Sequence, residues 1–301
     1  MGEADRVWLL GPHPLIAILA LFARLRGRTL ILGVRQDFPA YVRSRHPRNR
    51  LLHAVASLLE RSFRRLARRA PVVVVGPELA AHYAHADRLL EIAVSLVSSS
   101  QIVAADAAAA RSYDGAKTIL SVGRLDNEKN PRLLIETLAR LDEGGGEWRL
   151  EICGEGPLRA ELEREAAAAG LGERVELAGY VPIDAGLLDR YRRAHVLLHS
   201  SLTEGLPQIL LEAFAAGLPV VVSDVGGIRA AVGDRVLLVA PGDPAAAAAA
   251  IAELGSDAAL RERLVAAGLE YVGEHTLEAE SARVARFIED TENAVHDSGT
   301  A

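Results

Sequence analysis

A chain of 301 residues, half apolar and a quarter charged, has the composition of a soluble globular protein and the length for two α/β domains. A single cysteine, Cys153, excludes an internal disulfide and fits a reducing compartment, and the longest apolar run, Leu15 to Ala23, is nine residues, about half of the ~18 that a spanning helix needs. The net charge of −6 divides unevenly: residues 1–100 hold fifteen Arg and seven Asp or Glu, a balance of +8, and the remainder carries −14, as expected for two domains with different partners.

The acidic start, Met1-Gly2-Glu3-Ala4-Asp5, is not a signal peptide, and a cytoplasmic location is expected. Strands are predicted at "RVWLL" (6–10), "RTLILGV" (28–34), "PVVVVG" (71–76) and "LLEIAV" (89–94), with helices at 14–26, 50–69 and 77–86. Short runs of Val, Ile and Leu separated by helices predict a parallel sheet covered on both faces. "SSSQIVAADAAAARSYDGA" (98–116) has no clear period and is expected to be a linker or crossover. A second alternation places strands at 117–123, 148–154, 174–179, 195–200, 218–223 and 235–240. Pro131, Pro157, Pro207 and Pro244 sit where helices should start, the position proline tolerates best. Further helices are expected at 184–193, 257–268 and 276–294. The expected fold class is α/β with two Rossmann-like domains: 1–97, then the linker, 117–272, and a final helical segment 273–301.

Three segments of the second domain carry candidate chemistry, each at the carboxyl end of a predicted strand. In "SVGRLDNEKNP" (121–131), Arg124 and Lys129 lie between a strand and a helix start. Arginine offers a bidentate fork, lysine a point charge, and the helix N-terminus a partial positive charge, a combination suited to a diphosphate. A solvated loop with Lys129 paired to Glu128 is the plain alternative. "CGEGPLRAEL" (153–162) resembles the start of a dinucleotide fingerprint, but Arg159 stands at its third glycine, so these glycines are expected to shape a tight turn near a ligand. In "SSLTEGLPQILLEAFAAGLPVVVSDVGG" (200–227), Glu204 precedes a helix and Glu212 lies inside it, sharing a face with Gln208. The deeper carboxylate suits a ribose diol, and Glu204 suits a group lying across the helix mouth. Cations for phosphate, a deep carboxylate for a sugar and a second at a reaction centre together describe a nucleotide-sugar site.

From about Thr118 to Leu254 the chain resembles the donor-binding half of a retaining glycosyltransferase of family 4, also described as glycosyl transferases group 1, with the GT-B fold. "VGRLDNEKN", "GEGPL", "LAGYVP", "SSLTEGLPQILLEAFAAGLPVVVSDVGG" and "LLVAPGDP" occur in that family's order, and the E-x7-E motif matches at Glu204 and Glu212. The resemblance implies that Arg124 and Lys129 bind the donor diphosphate, Glu212 the ribose hydroxyls, and Glu204 the transferred sugar near its anomeric centre. It implies that the amides of Gly205 and Leu206 touch sugar or phosphate, and that Gly179, Tyr180 and Val181 line the base. It also implies that the last helix braces the first domain. No D-x-D motif is found, so no metal and no other cofactor are expected.

The first domain resembles only the later part of the family's N-terminal domain. At "VRQDFP", where that family often has a histidine, Arg35 is the candidate for contact with the donor, and His13 is a second cleft candidate. The basic helix 50–69, with Arg61, Arg64, Arg65, Arg68 and Arg69 around Phe63 and Leu66, suggests contact with anionic lipid or a solvated arginine face; nucleic acid is not expected. The expected function is transfer of a sugar from a UDP-, GDP- or ADP-sugar to a lipid-linked or small-molecule acceptor. The alternatives are a nucleotide-sugar-binding protein without transfer activity, or a GT-B nucleotide-sugar epimerase.

Overall fold

The computed structural model describes residues 6–299, so the acidic start at Met1 to Asp5 lies outside the described residues. In chain order the elements are β1 (Arg6–Gly11), α1 (Ile16–Leu25), β2 (Thr29–Val34), α2 (Phe38–Arg45), α3 (Arg50–Ala67), β3 (Val72–Val75), α4 (Pro77–His82) and β4 (Leu89–Ile92). They continue with α5 (Ala105–Ala109), β5 (Lys117–Val122), α6 (Arg132–Glu143), β6 (Trp148–Cys153), α7 (Arg159–Ala168), β7 (Val175–Gly179), α8 (Leu187–Arg193) and β8 (Val196–His199). The chain closes with α9 (Gln208–Ala215), β9 (Val220–Ser223), α10 (Ile228–Val232), β10 (Leu237–Val239), α11 (Pro244–Ser256), α12 (Ala258–Glu274) and α13 (Leu277–Gly299). Contacts divide these into two compact units: residues up to Val94 with those from Glu278 onward, and residues Ser95–Leu277.

The first unit holds a four-stranded sheet in the order β1-β2-β3-β4, with every pair parallel. Its core gathers Leu32, Val34, Val72 and Val74 from the strands with Ile16, Ala20, Phe63 and Tyr83 from the segments around them. On α3 the buried positions Ala56, Glu60, Phe63 and Ala67 recur at helical spacing and form one inward stripe. Phe63 therefore packs inside, while Arg61, Arg65, Arg68 and Arg69 face solvent. The apolar side chains exposed on this helix belong to its first half: Leu51, Leu52, Val55 and Leu58. The buried Glu60 carboxylate accepts from Tyr83 Oη at 2.6 Å and lies 3.1 Å from His82 Nε2. Helix α2 is absent from the sequence expectation because its face is only weakly apolar. It forms because Asp37 caps it, accepting from the Ala40 amide at 2.8 Å, with Pro39 in the first turn. Helix α13 belongs to this unit: Arg283 donates to the Glu91 carbonyl and Arg88 to the Asp290 carbonyl, each at 2.7 Å.

The second unit holds a six-stranded parallel sheet in the order β10-β9-β8-β5-β6-β7. Strands β6 and β7 extend to one side of β5, and β8, β9 and β10 to the other. The order thus reverses between β5 and β8, and open sheets of this kind take ligands at the carboxyl ends of the strands flanking that reversal. Helices α6, α7 and α11 pack with one another, as do α8, α9, α12 and α5, giving two helical layers. A core of Ile119, Leu134, Leu138, Leu150, Leu198, Val221, Ile251 and Leu264 runs through the unit.

Residues 98–116, expected to form a linker or crossover, run along the second unit. The Val103 amide donates to the Ala215 carbonyl at 2.8 Å, and Arg111 donates to the carbonyls of Gly217 at 2.5 Å and Ala216 at 2.9 Å at the end of α9. Burial lowers the Arg111 pKa, as expected for a guanidinium spent on backbone carbonyls instead of water. Tyr113 Oη donates to the His195 carbonyl at 2.6 Å. The paucity of long apolar side chains hid this segment's packing, because it is held by hydrogen bonds.

Candidate active site

The loop after β5 and the loop after β8 meet at the point where the strand order reverses. The Leu202 amide donates to the Glu128 carbonyl at 2.9 Å, and the hydroxyls of Ser200 and Ser201 donate to the carbonyls of Lys129 and Glu128 at 2.9 and 3.2 Å. Asp126 Oδ1 accepts the amides of Glu128 and Lys129, both at 3.1 Å, and so shapes the first loop from within.

Two further loops support these. In the 153–158 loop, a Cβ on Gly154 would lie 1.7 Å from the Gly123 carbonyl oxygen, so only glycine permits this backbone approach. The Leu125 amide donates to Glu155 and the Leu158 amide to Leu125, at 2.9 and 3.0 Å. The glycines expected to shape a turn near a ligand therefore also knit two backbone loops together. Arg159, at the position where a dinucleotide fingerprint has its third glycine, donates to the Leu177 carbonyl on β7 at 2.9 Å. Beyond β9, Gly226 has φ +55 and a Cβ there would lie 2.0 Å from the Glu204 carbonyl oxygen. The first of the paired glycines that close the 200–227 stretch thus lies directly against the backbone of Glu204.

Within this frame Lys129 and Glu204, 75 residues apart in the chain, form a direct ion pair from Nζ to Oε1. His199, the last residue of β8 and itself buried, places Nε2 at 2.8 Å from the same oxygen. Burial by itself would raise the Glu204 carboxyl pKa, but the hydrogen bonds and charges of His199 and Lys129 outweigh it and hold it at about 2. Glu212 lies one turn inside α9 and is also buried. Its Oε2 accepts from the fully buried Tyr191 Oη at 2.7 Å. Burial raises the Glu212 carboxyl pKa, and the Tyr191 hydrogen bond offsets that rise only in part. The two carboxylates are eight residues apart and shifted in opposite directions.

The remaining candidates spread more widely. Arg124 shares the loop of Lys129, but its guanidinium pairs with Asp126 at 2.5 Å and Glu128 at 3.3 Å and is more than half exposed. Gly205 is exposed and Leu206 half-buried at the mouth of α9, whose N-terminus has no side-chain cap. Gly179 ends β7, the edge strand two places from β5, and Tyr180 beyond it is 75% exposed, with Val181 following. Arg35 lies in the first unit, exposed just past β2, and His13 follows β1 with Nδ1 at 3.3 Å from the Leu15 amide. His199 and Tyr191 were not singled out in the sequence. A histidine ending a buried strand, five residues before a candidate carboxylate, was the signal for the first, whereas nothing local marked the second. Among the described residues no group of three or more His, Cys, Asp and Glu is arranged to hold a metal ion. The site is thus a cation and a carboxylate at a helix mouth with a second carboxylate behind them, a set suited to binding an anion and hydroxyl groups together.

Known proteins are similar to this chain in sequence and in architecture. The 2-deoxystreptamine glucosyltransferase of Streptomyces kanamyceticus is 31% identical over 205 residues, covering 65% of this chain and 53% of that protein. The D-inositol 3-phosphate glycosyltransferase of Geodermatophilus obscurus is 36% identical over 211 residues, 65% of this chain and 46% of that protein. The chain therefore spans about half the length of the curated relatives it matches. Among solved structures, the sucrose-phosphate synthase of Thermosynechococcus elongatus superposes with a TM-score of 0.74 at 23% identity, over 96% of this chain and 74% of that one, a likeness of fold. The α/β class with two parallel Rossmann-like sheets is of the GT-B kind. The model of the family described as glycosyl transferases group 1 matches residues 104–271, more than half of the chain and all of the segments carrying Lys129, Glu204 and Glu212, and the protein belongs to that family.

Proposed function

We propose that this protein transfers a sugar from a nucleotide-sugar donor to an acceptor hydroxyl, with retention of anomeric configuration and without a metal ion. The observation that carries the proposal is the meeting of Lys129 with Glu204 at the reversal of strand order, with Glu212 a turn deeper in the helix that starts there. Lys129, Arg124 and the N-terminus of α9 receive the donor diphosphate, the exposed Arg124 guanidinium by exchanging its partners Asp126 and Glu128 for phosphate oxygens. Glu212 accepts the ribose hydroxyls, and Glu204 faces the transferred sugar. Gly205 and Leu206 present their amides at the helix mouth, and Gly179, Tyr180 and Val181 flank the base. UDP-, GDP- and ADP-sugars are the candidate donors, and lipid-linked or small-molecule hydroxyls the candidate acceptors.

In the transfer step the bond between the anomeric carbon and the phosphate oxygen breaks, and the diphosphate leaves with the bonding pair. The acceptor oxygen bonds to the same face of that carbon, and its proton passes to the leaving phosphate. Cations and helix amides must meet the negative charge where it develops. A carboxyl held at about 2 is a weak base at neutral pH, since general bases work best with a pKa near the operating pH. Glu204 is therefore assigned to orienting the sugar and stabilising positive character at its anomeric centre, not to accepting the proton.

The first unit supports contact with an anionic lipid surface. The apolar group exposed on α3 is Leu51, Leu52, Val55 and Leu58, and Arg61 and Arg65 follow it on the same helix. No described helix is long and apolar enough to cross a membrane.

Replacing Glu212 with Ala should weaken nucleotide binding by at least about tenfold in calorimetry with UDP, GDP and ADP. Replacing Glu204 with Ala should lower turnover on the order of 100-fold while largely sparing that affinity. Equal losses of affinity would contradict the division of roles, and nucleotide binding without hydrolysis or transfer would favour a binding protein. Transfer should survive EDTA, whereas activity abolished by EDTA and restored by magnesium would refute metal independence. Nucleotide affinity should fall on acidification while the pH is still above the ordinary carboxylate range of ~4.3, because the raised Glu212 carboxyl takes up its proton before Glu204 does. Titrating affinity against pH, with Glu212→Gln expected to flatten the curve, checks this. Sedimentation with phosphatidylglycerol vesicles should carry the protein down and phosphatidylcholine vesicles should not, and equal behaviour with both would remove the lipid-surface role.

A further inference from the structure

We infer that His199 is a positioning residue that fixes the carboxylate of Glu204 during sugar transfer, an inference that rests on the glycosyl-transfer reading. Three observations converge on it. First, the anchor is rigid: His199 ends β8, an interior strand hydrogen-bonded to β5 on one side and β9 on the other, and it pairs in register with Val222. Its ring is buried, with only 4% of the residue exposed. Second, the main chain of Glu204 is already closely packed, since Gly226 lies against its carbonyl so closely that a Cβ would approach to 2.0 Å. What remains to be fixed is the orientation of the side chain.

Third, the two donors to that side chain converge on one oxygen. Lys129 Nζ and His199 Nε2 both engage Glu204 Oε1, so neither contact uses Oε2. They differ in what ligand binding asks of them. The Lys129 ammonium is a mobile point charge on a four-carbon stem, and a diphosphate arriving beside it competes with Glu204 for its donors. A ring nitrogen on a short side chain at the end of an interior strand has no such competitor. His199 therefore keeps Oε1 in place when Lys129 turns to phosphate, with Nε2 carrying the donated proton. The sequence alone suggests two carboxylates and a cation; the histidine becomes part of the set only through the 2.8 Å contact.

The test is steady-state transfer and nucleotide calorimetry on the full chain with three substitutions. His199→Phe keeps the ring volume and removes the donor, His199→Ala removes both, and His199→Gln returns an amide N–H to the region of Nε2. We expect kcat to fall on the order of 10- to 100-fold in His199→Phe and His199→Ala, because misorientation of a reacting group is costly. The donor KM and the nucleotide Kd should stay within about twofold. His199→Gln should recover most of kcat, with thermal stability comparable across the Phe and Gln variants. A His199→Phe enzyme with wild-type kcat overturns the inference while leaving the transferase reading intact. Equal loss in Gln and Phe accompanied by lowered melting temperature also overturns it, in favour of a packing role. A wild-type protein that neither binds nucleotides nor transfers sugar overturns both.

Discussion

Everything at the site depends on the backbone and hydroxyl bonds that join the loop after β5 to the loop after β8. Without the Leu202–Glu128 bond and the two serine bonds to Glu128 and Lys129, these would be two independent surface loops at neighbouring strand ends. Joined, they hold an ammonium and a carboxylate in contact across 75 residues of sequence. The sheet makes the junction possible, because only at the reversal between β5 and β8 do two loops leave adjacent strands toward opposite helical layers and open a crevice between them. The glycines act one level further out. Gly154 lets a third loop lie against the first, and Gly226 lets a fourth lie against Glu204 itself.

The same frame sets the two glutamates to different electrostatic states. Both are largely withdrawn from water, which alone would favour their protonated forms. Glu204 faces two nitrogen donors and is held ionised far below its ordinary range; Glu212 faces one phenol and is not. A single residue type, repeated eight positions apart, thus supplies a firmly charged group at the helix mouth and a more readily protonated one behind it. The difference comes from what the neighbouring strand and helix present: His199 from β8 and Tyr191 from α8.

The strands were legible because parallel strands buried on both faces read as runs of Val, Ile and Leu, and "PVVVVG" and "LPVVVS" are such runs bounded by glycine, proline or serine. The helices behind Pro131, Pro207 and Pro244 were legible from proline near their first turns. Helix α2 and the course of residues 98–116 were not, since both rest on capping and backbone bonds and not on apolar periodicity. On the basic helix, the arginines suggested one lipid-facing surface around Phe63 and Leu66. Phe63 instead belongs to the core, and the exposed apolar group lies nearer the start of the helix.

Sequence by itself determined the two parallel α/β sheets and marked Lys129, Glu204 and Glu212 as candidates at or just beyond strand ends, because periodicity, turn residues and charged residues are local properties of the chain. Tertiary structure alone decided which of these touch. The ion pair between Lys129 and Glu204, the histidine that shares it and the buried tyrosine on Glu212 each join residues from different elements. Their meeting follows from strand order and loop-to-loop hydrogen bonding, which no window of the sequence contains. The same holds for Arg124, whose charge was evident but whose partners, Asp126 and Glu128, follow from the turn that the loop makes.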